Sequence, residues 1–142
     1  MFSRISHIGV VVNDLEEAVE RWSTLFGLEV RSRGTIGVEG VKNALLYPVG
    51  QQGGTFIELI EPVDKSDMSN AIARRLAKSG EGFYHLAVGT ADAADAQSSL
   101  ENAGVALVVQ PPVSEGQAPR PIVHPKAANG ILIEIVQDSA AH

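Results

Sequence analysis

Two histidines and two glutamates lie inside four apolar, strand-like segments of this sequence, and their spacing groups them into two pairs. His7 lies in ISHIGVVV, and Glu58 follows it by 51 positions in FIELI. His85 lies in FYHLAV, and Glu134 follows it by 49 positions in ILIEIV. A carboxylate buried among apolar side chains is costly unless a cation compensates its charge. Two imidazoles and two carboxylates in matched positions therefore predict one divalent metal site.

Each of these four residues also has an ordinary structural explanation. A single histidine in an apolar strand is often a hydrogen-bonded core residue, and a single carboxylate can face solvent from a half-exposed antiparallel strand. The recurrence of all four in matched positions favours the metal site. Ligands of this type suit Co²⁺, Mn²⁺, Ni²⁺, Zn²⁺ or Mg²⁺, and four of them leave two octahedral positions for a chelating substrate. Such an ion would act as a Lewis acid on a carbonyl group and stabilise an enolate.

The elements that must position these residues also occur twice along the chain. An aspartate at a helix start follows each histidine by seven positions, Asp14 in the first half and Asp92 in the second. Asn13 and Thr90 are alternative caps. Apolar runs predict further strands at about 28–31, 41–49 and 55–61, and at about 105–109, 120–124 and 130–137. Each half is therefore a βαβββ module.

The helices of the two modules have apolar residues at helical spacing. The first is predicted to end at Gly27 and the second at Gly104, because glycine readily forms the left-handed cap of a helix. Trp22 falls on the apolar stripe of the first helix, so we expect it to pack in the core. A short linker helix precedes Gly80.

These patterns predict an α+β fold in which two βαβββ modules in tandem form a shared, incompletely closed sheet around the metal site. Residues 1–142 are then a single domain. Module 1 covers about 4–62, the linker helix lies at about 63–80, and module 2 covers about 81–138. Equivalent positions of the two modules would meet, with His7 beside His85 and Glu58 beside Glu134.

The composition argues against several classes of function. The formal net charge of −6 is unfavourable for broad binding of nucleic acids or anionic membranes. The sequence has no cysteine, which excludes disulfides, thiolate ligands and a cysteine nucleophile. No apolar run approaches the roughly 20 residues of a membrane span, and the N-terminus lacks a signal-peptide layout. We therefore expect a cytoplasmic enzyme or binding protein that acts on a small molecule.

The segments around these residues resemble the vicinal oxygen chelate superfamily. This superfamily includes glyoxalase I, extradiol dioxygenases, fosfomycin-resistance proteins and methylmalonyl-CoA epimerase. The opening HIGVVVNDLEEA, followed by LFGLE, is similar to the start of its members. IARRLAKSGEGFYHLAV, VHPKAANGILIEIVQ and FIELIEP are most like the epimerase branch. The resemblance covers residues 4–138.

The resemblance implies the same four metal ligands, His7, Glu58, His85 and Glu134. It also implies racemisation at C2 of a 2-carboxyacyl-CoA such as methylmalonyl-CoA. The metal would chelate the carboxylate and the thioester carbonyl of the substrate while a base removes the C2 proton and an acid returns one. The protein is expected to bind an acyl-CoA and to form a homodimer.

Three positions depart from the pattern of the epimerase branch. Asn43 stands where some relatives carry a glutamate as acid or base, and a neutral amide cannot abstract a proton. Tyr84 stands where members often have histidine, and Arg120 follows Ala-Pro where a Gly-Gly-x-Arg-like segment is common. The base therefore remains open, and Glu134 is a candidate for base as well as ligand.

Arg120 and Lys126 are the candidate substrate-binding cations, because they bracket the second-half site and CoA carries phosphates. Their alternative is an ordinary solvated surface charge. His124 and His142 rank below the paired histidines as ligands. Two other functions stay open: another enzyme of the superfamily, such as a glyoxalase-type isomerase or lyase, or a resistance-type protein that sequesters a small molecule. Retention of all four ligand positions disfavours sequestration.

Overall fold

A computed structural model, which describes residues 1–138, shows that the protein has a mixed α+β fold. Its elements are β1 (Arg4–Val11), α1 (Leu15–Phe26), β2 (Leu28–Ile36), β3 (Val41–Pro48), β4 (Phe56–Pro62), α2 (Ala71–Ser79), β5 (Gly82–Thr90), α3 (Ala93–Asn102), β6 (Leu107–Gln110), β7 (Arg120–Val123) and β8 (Ile133–Gln137). The order contains a βαβββ series twice, and the predicted α+β fold class is confirmed. Within the described residues, no helix is long and apolar enough to span a membrane.

The chain divides into two compact units whose boundaries fall at the two paired histidines. The first unit is Ile8–Tyr84, and the second joins Met1–His7 to residues 85–138. The boundaries lie inside β1 and inside β5. His7, His85 and Glu134 therefore share the second unit, whereas Glu58 belongs to the first.

The first unit packs α1 against the strands in the order β2-β3-β4, with the second part of β1 next to β4. β2, β3 and β4 pair antiparallel. The Asp14 side chain accepts a hydrogen bond from the Glu17 amide, and Gly27 caps the other end of α1 with φ 68°. Trp22 packs on the core formed around Leu15, as expected for its place on the apolar stripe.

The second unit contains the strand order β5-β8-β7-β6, with the first part of β1 next to β5. β5 and β8 are parallel, and the other two pairs are antiparallel. Asp92 caps α3 by accepting from the Asp95 amide. The helix ends at Asn102 with Ala103 as its cap, one residue before the predicted Gly104, which follows with φ 83°.

Strand pairing and turns override the local sequence pattern at the boundaries of β2, β6 and β8. β2 runs on to Ile36, since its exposed residues bond to β3 up to the Ile36–Val41 pair. β6 starts at Leu107, because the Val105 amide still bonds to the end of α3. β8 starts only at Ile133, after a turn in which Asn129 has φ 55°.

Candidate metal centre

The imidazoles of His7 and His85 meet edge to face inside the second unit. Their Nε2 atoms lie 3.2 Å apart, and the ring planes are inclined by 80°. Both residues are buried, with 8% and 6% of their surface exposed. The Oγ of Ser6 lies 3.0 Å from Nδ1 of His7. This contact engages Nδ1 of His7, and its Nε2 is the atom directed at His85, as a shared ion would require.

Glu134 lies on β8, the strand between β5 and β7. It pairs with Ala87 on one side and with Ile122 on the other. Because alternate residues of a strand share a face, His85 and Arg120 are the diagonal neighbours of Glu134 on that face. His85 Nε2 lies 3.3 Å from Glu134 Oε2, and Arg120 Nη1 donates to Glu134 Oε1 at 3.0 Å. The sheet register thus gives each carboxylate oxygen its own neighbour.

His7, His85 and Glu134 together form a buried group of ligand atoms. One donor atom from each lies within 4.8 Å of the others. Two imidazole nitrogens and one carboxylate oxygen, without sulfur, make a donor set that fits a divalent metal ion. The structure therefore brings three of the four predicted ligands into one candidate divalent metal site.

Glu58 lies on β4 in the first unit and is 7% exposed, so its predicted burial is confirmed. Glu58 pairs with Leu45 of the neighbouring strand β3. Asn43, two residues before Leu45, is therefore the diagonal neighbour of Glu58. Asn43 Nδ2 donates a hydrogen bond of 2.8 Å to Glu58 Oε2. Glu39 lies in a short 3₁₀ turn just before β3.

The two predicted substrate-binding cations lie in different environments. Arg120 is buried, and its Nε and Nη2 atoms donate to the Pro111 carbonyl at 3.3 and 3.1 Å. Lys126 is exposed in a 3₁₀ turn, where its amide donates to Nδ1 of the exposed His124. His124 therefore caps a turn, and His142 lies outside the described residues.

Two features of the site were not predicted from the sequence, namely the Ser6 contact with His7 and the Arg120 contact with Glu134. Ser6 directly precedes the candidate ligand His7, and its hydroxyl was the sequence signal that could have indicated a partner for the imidazole. The Arg120 contact depends on the register between β7 and β8, which single-strand patterns do not specify.

The chain belongs to the glyoxalase/bleomycin resistance protein/dioxygenase superfamily, whose model matches residues 6–123. The ethylmalonyl-CoA/methylmalonyl-CoA epimerase of Cereibacter sphaeroides is 28% identical over 140 residues, which cover 96% of this chain and 99% of that protein. This membership confirms the predicted superfamily.

Solved structures of epimerases share the fold. A point variant of Streptomyces coelicolor methylmalonyl-CoA epimerase, in complex with 2-nitronate-propionyl-CoA, superposes with a TM-score of 0.85 at 31% identity, covering 99% of this chain and 100% of that one. A methylmalonyl-CoA epimerase in complex with methylmalonyl-CoA and NH4+ gives the same TM-score and identity, with coverage of 99% and 97%. These similarities agree with the epimerase branch that the sequence resembles.

Proposed function

We propose that the protein is a metal-dependent epimerase of a 2-carboxyacyl-CoA such as methylmalonyl-CoA, and thus an isomerase. The observation that carries this proposal is the convergence of the His7, His85 and Glu134 donor atoms within 4.8 Å. It occurs in a chain that aligns over 96% of its length with an epimerase acting on this class of thioester.

The proposed ligands are His7, His85 and Glu134, and Glu58 is the fourth ligand that the sequence predicts. The nitrogen and oxygen donors suit Co²⁺, Mn²⁺, Ni²⁺, Zn²⁺ or Mg²⁺. When bound, such an ion supplies a Lewis acid that stabilises the negative charge on the thioester carbonyl oxygen. Ser6 holds Nδ1 of His7, which leaves the Nε2 atom to bind.

Epimerisation also needs groups that remove the C2 proton from one face and return one to the other. Asn43 has no titratable group, so this work falls to a carboxylate. Both oxygens of Glu134 have protein partners, which suits a fixed ligand. We therefore assign one of these two proton transfers to Glu58, which Asn43 orients, and keep Glu134 as the candidate for the other.

The substrate is proposed to be an acyl-CoA, since the similar structures hold acyl-CoA compounds. Lys126 is the better candidate for the CoA phosphates because its side chain is exposed, whereas Arg120 is directed inward at Glu134. A cytoplasmic homodimer remains part of the proposal. Light scattering after size-exclusion chromatography measures the oligomer directly.

The decisive experiment follows exchange at C2 of methylmalonyl-CoA in deuterated water by NMR or mass spectrometry. Metal-loaded protein should exchange the C2 proton and interconvert the two epimers, and metal-free protein should do neither. Metal binding without exchange of the C2 proton would contradict the proposed epimerase activity and favour another enzyme of the superfamily. Absence of both metal binding and exchange would favour a sequestering protein.

A further inference from the structure

We infer that Arg120 is a positioning residue of the proposed metal centre and that it fixes the Glu134 carboxylate with Oε2 toward His85. This inference rests on the proposed metal site. It gives Arg120 a role different from the substrate contact predicted from the sequence. It also connects the Pro/Gly-rich loop that begins at Pro111 to the candidate ligand set.

The hydrogen bonds of the guanidinium define this role. Nη1 donates to Glu134 Oε1 at 3.0 Å, and Nε and Nη2 both donate to the Pro111 carbonyl at 3.3 and 3.1 Å. A planar guanidinium presents its N–H donors in a fixed fork. Because two of its nitrogens are bonded to the Pro111 carbonyl, the direction of the third nitrogen, Nη1, is largely fixed. Arg120 is only 8% exposed, so its burial restricts the side chain further.

The position of Pro111 follows from the sheet. Gln110 pairs with Arg120 at the end of the β6–β7 ladder, so the next residue, Pro111, lies beside the Arg120 side chain. The loop of residues 111–119 therefore leaves the sheet after Gln110 and returns to it at Arg120. The Pro111 carbonyl accepts both hydrogen bonds, and proline has no backbone N–H that would need an acceptor of its own.

The carboxylate of a glutamate rotates easily about its last torsion, which is broad and roughly twofold. Without a partner on Oε1, either oxygen of Glu134 can turn toward His85, and ordering one of them costs conformational entropy. Arg120 removes that freedom before a metal ion arrives. Groups that orient metal ligands in this way typically contribute 10- to 100-fold to metal affinity or activity.

The test compares Arg120→Met and Arg120→Lys with the matched control Arg31→Met. Arg31 also donates to a carboxylate, Glu29 at 2.9 Å, and to a proline carbonyl, Pro48 at 3.3 Å, but in the first unit. The probe is Co²⁺ alone, titrated into metal-free protein and followed by calorimetry and by the visible absorption of the bound ion. Folding is checked by circular dichroism.

Arg120→Met should weaken Co²⁺ binding by about 10- to 100-fold and change the visible spectrum. Arg120→Lys should fall between it and the wild type, because one ammonium cannot reproduce the fork. Arg31→Met should bind as the wild type does. These results would support the positioning role, since a merely structural residue would leave the spectrum of bound Co²⁺ unchanged.

A folded Arg120→Met protein with wild-type affinity and spectrum would overturn the inference while leaving the proposed metal centre intact. Wild-type protein that binds no Co²⁺ would overturn the metal centre itself, and this inference with it. If Arg120→Met does not fold, Arg120→Lys decides, and wild-type behaviour of that variant overturns the role. Failure of both to fold beside a folded Arg31→Met would reduce Arg120 to a structural residue.

Discussion

Asn43 donates a hydrogen bond of 2.8 Å to Glu58, so a neutral amide orients a buried carboxylate at the place where the resemblance implies a glutamate. The titratable group of this pair is therefore on β4 rather than β3. Any proton transfer at this pair must use Glu58. With Asn43 in place of a glutamate, the residue expected to transfer a proton changes to Glu58. The Asn43–Glu58 pair therefore still contains a carboxylate.

Glu58→Gln should reduce C2 exchange by roughly 100- to 10,000-fold, the usual contribution of a general acid or base. The amide oxygen of Gln can still bind a metal ion and accept from Asn43, but it cannot take up a proton. Glu134→Gln should reduce C2 exchange and also weaken metal binding, because it changes the carboxylate oxygens next to His85 and Arg120. The measurements are exchange rates by NMR and metal affinity by calorimetry.

Glu115→Gln, a change in the exposed loop before β7, is the control for loss of one carboxylate. It should leave both quantities unchanged. If Glu58→Gln exchanges the C2 proton at the wild-type rate, Glu58 is not the base, and the assignment passes to Glu134.

The sequence predicted the candidate ligands because their signal is local. Each ligand is a polar residue inside an apolar strand, and a strand of that kind can be recognised without knowing its neighbours. The same holds for the helix caps Asp14 and Asp92. The predicted end of β2 was wrong because pairing with β3 determines it. The predicted start of β8 was wrong because a left-handed turn at Asn129 determines it.

The Arg120–Glu134 contact shows what the sequence did not specify. The two residues are 14 positions apart, and they meet only because Ile122 pairs with Glu134 across β7 and β8. A shift of one residue in that register would turn the Arg120 side chain to the opposite face. From the sequence alone, a basic residue beside a loop therefore indicates only a substrate contact.

Loss of either histidine should remove most of the metal affinity. His7→Ala or His85→Ala deletes one of three converging ligand atoms, so the loss should exceed the roughly 10- to 100-fold typical of groups that only orient ligands. Calorimetry with Mn²⁺ or Co²⁺ measures it. His124→Ala is the matched control, because His124 is exposed and caps a turn. Equal metal affinity in His7→Ala and His124→Ala would contradict the candidate site.

Ser6→Ala tests how the His7 ring is oriented. The hydroxyl lies 3.0 Å from His7 Nδ1, and its removal leaves a buried ring nitrogen without that partner. Metal affinity should fall by about 10-fold, and stability should fall by about 1 kcal/mol. Ser3→Ala is a control on the same N-terminal segment, because Ser3 bonds to Asp138 instead of to a histidine. A parallel loss of affinity in both variants would indicate a general disturbance of β1.

Asp138 should contribute to the acid sensitivity of the second unit. Hydrogen bonds from the Arg4 guanidinium and the Ser3 hydroxyl lower the pKa of its carboxyl below the usual 3.8. A group whose pKa is lower in the folded protein stabilises it above the unfolded value, and this contribution is lost as the pH falls through the folded value. The wild type should therefore exceed Asp138→Asn in free energy of unfolding by a constant amount above about pH 5, and the difference should shrink below pH 3.8.

Urea unfolding at a series of pH values measures this difference. Ser3→Ala should reduce the same acid-dependent contribution without abolishing it, because the bond from Arg4 remains. A difference between wild type and Asp138→Asn that stays constant down to pH 3 would contradict the assignment.

The start of α1 offers a direct test of which residue caps the helix. Asp14→Ala should lower the free energy of unfolding by about 1 kcal/mol, because the Asp14 carboxylate accepts from the Glu17 amide. Asn13→Ala should have little effect, since Asn13 contributes its backbone amide, which donates to Glu81. Thermal and urea unfolding measure both changes. A larger loss for Asn13→Ala than for Asp14→Ala would transfer the cap to Asn13 and move the helix start by one residue.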